Sequence, residues 1–231
     1  LELSENAHLL RVMMKKVHPW SSLNYGLTAL DVVVKSYLDW IPKYQGADTE
    51  IQILTPMTRG TLGSANLNKV IQQTANPSQP GKAEIKVGER IFRVGDRVIH
   101  RKNNYDLNVF NGDIGKIIAI DNEVLSCCVA FYPDLREVEY QREVLSELDL
   151  AYAITIHKSQ GSEYDAVIIP IFTQHFMLLQ RNLIYTAITR AKKLCIFIGQ
   201  TRAIAMGIKN NKQEERVTFL DIFLTQDLSC R

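Results

Sequence analysis

Residues 151–170 read AYAITIHKSQGSEYDAVIIP, and the fold is decided there. Val167, Ile168 and Ile169 form a short apolar run of the kind that makes a buried strand. Ahead of it, Thr155 suits the N-cap of a short helical turn and Gly161 suits its end. Between the two sit His157, Lys158, Ser159 and Gln160. The first turn of a helix presents unpaired backbone amides, which favour a phosphate. Glu163 stands between the glycine and the strand, hence at the rim of a sheet, and open α/β sheets bind ligands at a rim. Any one of these residues is equally well explained as part of a capped surface turn. The string as a whole, with its polar side chains crowded at the mouth of a buried strand, points to a site.

Downstream, residues 179–193 read LQRNLIYTAITRAKK. A helix is expected over 178–192, followed by a strand over 194–198 and a further helix from 201. On that helix Leu183, Ile184, Ala187, Ile188 and Ala191 form an apolar stripe, while Asn182, Thr186 and Arg190 recur every four residues as a polar one. Arg190 then lies at the helix C-terminus, ahead of a core strand. Its fork of donors suits a phosphate oxygen. From spacing alone, balancing the helix dipole or pairing with a carboxylate is the favoured use.

Upstream, Ile51 to Leu54 form a buried strand closed by Thr55-Pro56. Gly60 and Gly63 mark a turn before a helix over 65–73. Two earlier apolar stretches are expected to be helical. One covers 9–17 and ends at His18-Pro19; the other covers 28–40 and is stopped by Pro42. Residues 74–84 are rich in turn formers. From about 89 to 140 the pattern changes to short β runs at 97–100, 115–120, 124–131 and 137–140, with turns at Asn111-Gly112 and Asp121-Asn122. Strand–helix alternation resumes after 148, which implies a parallel sheet. The expected architecture is an α/β domain over 1–82 and 149–231, interrupted at 83–148 by a small β-barrel.

The chain of 231 residues is 46% hydrophobic and 23% charged, an ordinary globular composition that excludes fibrous or wholly disordered classes. No apolar run approaches the roughly 20 residues of a membrane span. A net charge of +2 permits a nucleic-acid partner without implying one. Cys127, Cys128, Cys195 and Cys230 have no C-x-x-C spacing, so neither a metal site nor a disulfide framework is expected, and reduced thiols fit a cytoplasmic protein.

The two deciding segments carry a resemblance. TIHKSQGSEYDAVIIP resembles motif V of superfamily 1 helicases, and RNLIYTAITRAKK resembles their motif VI. IQILTPMTRGTLGSANLNKVIQQ is similar to the motif IV region of RecD-like helicases, and FRVGDRVIHRKNNYDLNVFNGDIGKI to the start of their small Src-homology-3-like insert. The resemblance runs from about Ile51 to Asn211, to the C-terminal half of a RecD-like ATP-dependent DNA helicase, the exodeoxyribonuclease V alpha-subunit type. It implies a RecA-like parallel sheet that closes over ATP held by a preceding domain. By motif VI, Arg190 is the arginine finger. By motif V, Glu163 contacts nucleotide sugar, Gln160 and Gly161 couple the sites, and Thr155, His157 and Lys158 contact single-stranded DNA. Arg59 is a second cation for the nucleotide. In the insert, Arg101, Lys102, Asn103, Asn104 and Tyr105 combine charge, amides and a ring, a mixture suited to a single strand. Family members of this type move 5′ to 3′.

No G-x-x-x-x-G-K-[ST] phosphate loop occurs, and Gly81-Lys82 lacks both the glycine spacing and the following hydroxyl. No apolar strand ends in an Asp-Glu pair that would hold Mg2+. The chain also begins with leucine. The expectation is therefore a motor domain separated from the N-terminal RecA-like domain that binds ATP and Mg2+, with no ATP hydrolysis by itself. The competing expectation is a non-catalytic nucleic-acid-binding protein that keeps the fold. RNA is an alternative polymer, since phosphate contacts dominate affinity for either.

Overall fold

The structure, a computed structural model, describes residues 25–211. The helical stretch expected at 9–17 and Cys230 lie outside them. The first elements are α1 (Tyr25–Lys35), a π turn (Ser36–Trp40) and α2 (Ile41–Gln45), which run on without a break. Pro42 does not stop the segment. A proline ring clashes with the carbonyl four residues back, but here the preceding turn is widened, with the Ile41 amide donating to the Ser36 carbonyl. The stop is Gly46, whose φ of 105° no other residue adopts easily, and its amide closes the last turn on Pro42 at 3.0 Å.

In chain order there follow β1 (Ile51–Thr55), α3 (Ser64–Ala75), the hairpin β2 (Glu84–Val87) and β3 (Arg90–Arg93), then β4 (Arg97–His100), β5 (Ile114–Asp121), β6 (Ser126–Phe131), β7 (Arg136–Tyr140) and β8 (Leu148–Leu150). The chain returns through β9 (Ala153–Thr155), β10 (Tyr164–Ile171), α4 (Arg181–Ile188), β11 (Ala191–Gly199) and α5 (Thr201–Lys209).

Strands β11, β10, β1 and β9 form one parallel sheet in that order, with Ile53 level with both Ile168 and Ala153. Alternate residues coat its two faces. Ile51, Ile53, Ala166 and Ile168 pack with Val33, Leu67 and Ile71. Leu54, Val167 and Ile169 pack with Leu183, Ile184, Ala187 and Ala203. Each fully buried aliphatic side chain stabilises the fold by roughly 1.5–3 kcal/mol relative to exposure, so the two coats outweigh any surface ion pair.

Helix α4 is shorter than the pattern predicts. Residues 191 and 192, both good helix formers, are already extended because Ala191 pairs with Tyr164 at the start of the long β10 ladder. Tertiary pairing outweighs a preference worth only tenths of a kcal/mol.

The insert is a five-stranded antiparallel ladder, β7-β6-β5-β4-β8, with the β2–β3 hairpin beside it. Phe92, Val98, Ile117, Val129, Phe131 and Tyr140 fill its core. β7 and β8 are the edges, and among the described residues no rung joins them. The β2–β3 hairpin and β8 were not separable from turn-rich sequence by pattern alone. Where insert and sheet meet, the fully buried Asp96 carboxylate accepts from Gln72 of α3 (2.5 Å), from Asn76 at the C-cap of that helix (2.6 Å), from the Arg93 amide (2.7 Å) and from the Tyr152 hydroxyl (2.8 Å).

Candidate nucleotide and nucleic-acid interface

β9 ends at Thr155 and passes into a 3-10 turn over Ile156–Ser159. Ile156 and Ser159 are fully buried, and the Ser159 hydroxyl donates to the Ile156 carbonyl at 2.7 Å. Those anchors turn His157, Lys158 and Gln160 outward, where all three are exposed. Gly161, at φ 86°, reverses the chain. Thr155 occupies the cap position with extended backbone, but its side chain makes no capping bond. The amides that follow are also committed: Gln160 donates to His157 (3.4 Å) and Ser162 to Ser159 (3.1 Å). The segment therefore presents the side chains of His157, Lys158 and Gln160 outward, while the amides that close it are committed.

Register places the two ends of this segment at opposite rims. Thr155 is level with Thr55 at the carboxyl end of β1. Glu163 precedes β10, whose Ala166 is level with Ile51, so it stands at the amino end. At about 3.3 Å per residue the two rims are roughly 20 Å apart. Glu163 is thus not on the carboxyl rim, where ligands of open sheets ordinarily bind. Thr155, His157 and Lys158 are on that side.

Glu163 shares the amino rim with Arg190. Arg190 follows α4 and its Thr189 cap instead of lying within the helix. Its Nη1 donates to the Ser162 carbonyl (2.9 Å), its Nε to the Thr186 carbonyl (3.3 Å) and its Nη2 to the Thr189 hydroxyl (3.2 Å). The Tyr164 amide donates back to the Arg190 carbonyl at 2.8 Å. All three acceptors of the guanidinium are uncharged. No carboxylate pairs with it among the described residues, so an ion pair does not account for it, while its bond to the Thr186 carbonyl in the last turn of α4 agrees with a dipole-balancing position. A half-buried, oriented and uncompensated guanidinium fits an anionic phosphate oxygen.

Arg59 is not brought to this pair. It is exposed on the loop after β1, at the carboxyl rim. That loop is tightly built. Ser64 and Ala65, the first amides of α3, donate to Met57 (3.0 Å) and Thr58 (3.1 Å), and a Cβ at Gly63 would lie 2.4 Å from the Thr58 and Arg59 carbonyl oxygens.

In the insert, residues 101–110 form a loop pinned by Glu147. Its carboxylate takes Lys102 Nζ at 2.8 Å and Asn104 Nδ2 at 3.0 Å, and its carbonyl takes the Arg101 amide at 2.8 Å. Burial works to raise the Glu147 carboxyl, but hydrogen bonds from Lys102 and Asn104 and the neighbouring charges hold it below the usual range. Asn104 is further committed by a bridge to Val109. Tyr105 is 77% exposed at the loop tip, edge-on to Phe110 at 6.1 Å. Asn104 is thus held in place by structural bonds, while Tyr105 presents its ring to the outside.

Sequence reading missed Phe110, Asp96 and Arg97. The signal for the last two was present: two opposite charges stand beside the apolar Val98-Ile99.

Residues 67–131 match the SH3 domain of ATP-dependent RecD-like DNA helicases, and residues 150–198 match the UvrD-like helicase C-terminal domain. The chain is 34% identical over 176 residues to the ATP-dependent RecD2 DNA helicase of Deinococcus radiodurans, covering 76% of this chain and 24% of that protein. It is 29% identical over 174 residues to the RecBCD enzyme subunit RecD of Mycolicibacterium smegmatis, covering 74% and 28%. The chain thus spans about a quarter of the length of these curated relatives. In fold it is similar to the Pif1 helicase from Bacteroides solved in complex with ADP-AlF3 and ssDNA, with a TM-score of 0.51 at 18% identity, over 90% of this chain and 54% of that one. Among the described residues no helix is long and apolar enough to cross a membrane.

Proposed function

The chain belongs to the RecD-like helicases, and from that premise we propose that it is the second motor domain of an ATP-dependent DNA helicase with 5′-to-3′ polarity. Residues 1–82 and 149–231 form the motor domain in this reading, and 83–148 the inserted subdomain. ATP and Mg2+ are held mainly by an N-terminal RecA-like domain of the same protein, in the cytoplasm, and the domain described here completes the site without hydrolysing ATP alone.

The observation that carries the reading is the Arg190 guanidinium, held on the Ser162 carbonyl one residue from Glu163, with no carboxylate to neutralise it among the described residues. Bound ATP supplies the scissile phosphoanhydride. Arg190 stabilises charge on the transferred phosphoryl, and its preorganised planar fork needs little rearrangement to do so. Glu163 accepts from the nucleotide sugar, and Gln160 and Gly161 link this rim to the DNA side. Arg59 is a second nucleotide cation reached only if the partner domain spans to the carboxyl rim. Thr155, His157 and Lys158 contact single-stranded DNA, and Asn104 and Tyr105 extend that contact through the insert. In the complete protein, Arg190→Ala is expected to lower phosphate release with single-stranded DNA by about 10³-fold while sparing DNA binding. Near-normal turnover would remove Arg190 from the role.

A further inference from the structure

Arg97 occupies an unusual position between the insert and the parallel sheet. It begins β4, and its side chain is 12% exposed. Its Nη2 meets Glu50 Oε1 at 2.7 Å, on the residue just ahead of β1. Its guanidinium lies 5.5 Å from the ring of Tyr132, in the insert, and 5.9 Å from that of Tyr164, the first residue of β10. The anchors reach directly into the amino rim. The Glu50 carbonyl accepts from Ala166 at 3.0 Å, and the Tyr164 amide donates to Arg190 at 2.8 Å. Glu163 is the residue before Tyr164.

A buried ion pair is weak evidence for stability, because desolvation offsets its attraction and apolar replacements often fold as well. Its distinctive property is geometric. A planar guanidinium offers an edge to a carboxylate and its faces to rings at once, which an ammonium cannot do. Arg97 Nε is buried without a hydrogen-bond partner among the described residues, so the guanidinium has unused capacity where the two parts meet.

Building on the function proposed above, we propose that Arg97 is a positioning residue that makes the insert and the amino rim carrying Glu163 and Arg190 move as one body. DNA held by the insert is then registered at the nucleotide rim. The coupling runs through a contiguous chain of contacts: the Tyr132 ring, the Arg97 guanidinium, Glu50 with Tyr164, and the Arg190 backbone.

The test uses the 231-residue chain with a fluorescent oligo(dT) to read binding and hydrogen exchange to read the Tyr164 and Ala166 amides. The unsubstituted chain is expected to bind, and exchange at both amides to slow by about fivefold or more, the low end of ordinary coupling between sites. Arg97→Lys keeps the charge and loses the stack. It is expected to bind with the same affinity while the two amides stop responding. Tyr132→Leu removes one ring, keeps the ion pair and is expected to weaken the response; it carries the comparison if Arg97→Lys does not fold. Binding with no response in the unsubstituted chain, or an undiminished response in the folded variants, overturns the coupling and leaves the functional reading intact. No binding by the unsubstituted chain overturns both.

Discussion

The Arg190 guanidinium and the Ser162 carbonyl are joined at 2.9 Å across 28 residues of sequence, and that bond ties the end of α4 to the turn before β10. The same bond aims the cation along the amino rim beside Glu163. The proposed nucleotide half-site is therefore set by strand pairing, since Tyr164 and Ala191 are register partners. The side chains proposed to face DNA depend on a different device, the buried Ile156 and Ser159 anchors of the 3-10 turn. The two can be tested separately.

Lys158 is exposed on that turn. If it neutralises a DNA phosphate, Lys158→Ala weakens oligo(dT) binding equally for all sequences. It also lowers the slope of log affinity against log salt by about 1. An unchanged slope in a titration from low to moderate salt would place Lys158 outside the phosphate track.

Asp96 holds four donors in a fully buried position. Asp96→Ala strands them without water, at a cost on the order of 3 kcal/mol or more. For a chain of this size that is a fall in Tm of roughly 6 °C or more. Calorimetry showing a native-like Tm would mean that the junction repacks.

His175 is 1% exposed, and its Nδ1 accepts from the Phe172 amide at 3.2 Å. Burial lowers its pKa from 6.5 to about 4. The unfolded chain therefore takes up a proton at a pH where the folded chain does not. Stability is fully present above about 6.5 and is lost as pH falls toward about 4, by about 3 kcal/mol in all. His175→Asn retains an acceptor for the amide. Urea midpoints measured across this range should fall less steeply for the variant than for the parent.

Cys127 is 2% exposed in the core of the insert, and burial pushes its thiol up to about 12. Thiolate is the reactive species. Peptide mapping after iodoacetamide at pH 8 should find Cys127 unmodified in the folded chain and modified in urea. Fast labelling of the folded chain would contradict the packing described.

The parallel sheet was legible because buried strands such as Val167 to Ile169 stand out as continuous apolar runs between turn formers. The boundaries of α4 were not, because Ala191 and Lys192 prefer a helix and only their pairing partner, 27 residues away, makes them extended. Periodicity is blind to such partners. Likewise the motif around His157 and Glu163 was readable as chemistry, but which rim each residue occupies follows from strand register. Pro42 misled for a local reason: the widened turn before it depends on backbone geometry that composition does not encode. Asn104 was legible as a polar loop residue, while its commitment to Glu147, 43 residues away, was not.

Two strands of the insert's ladder, β4 and β8, are hydrogen-bonded neighbours, with Val98 opposite Leu150. β8 runs directly into β9 of the parallel sheet, so the ladder and the sheet are joined by covalent chain there as well as by the Asp96 and Arg97 side-chain ties, and a disturbance of β4 would be felt at β9 through only a few residues.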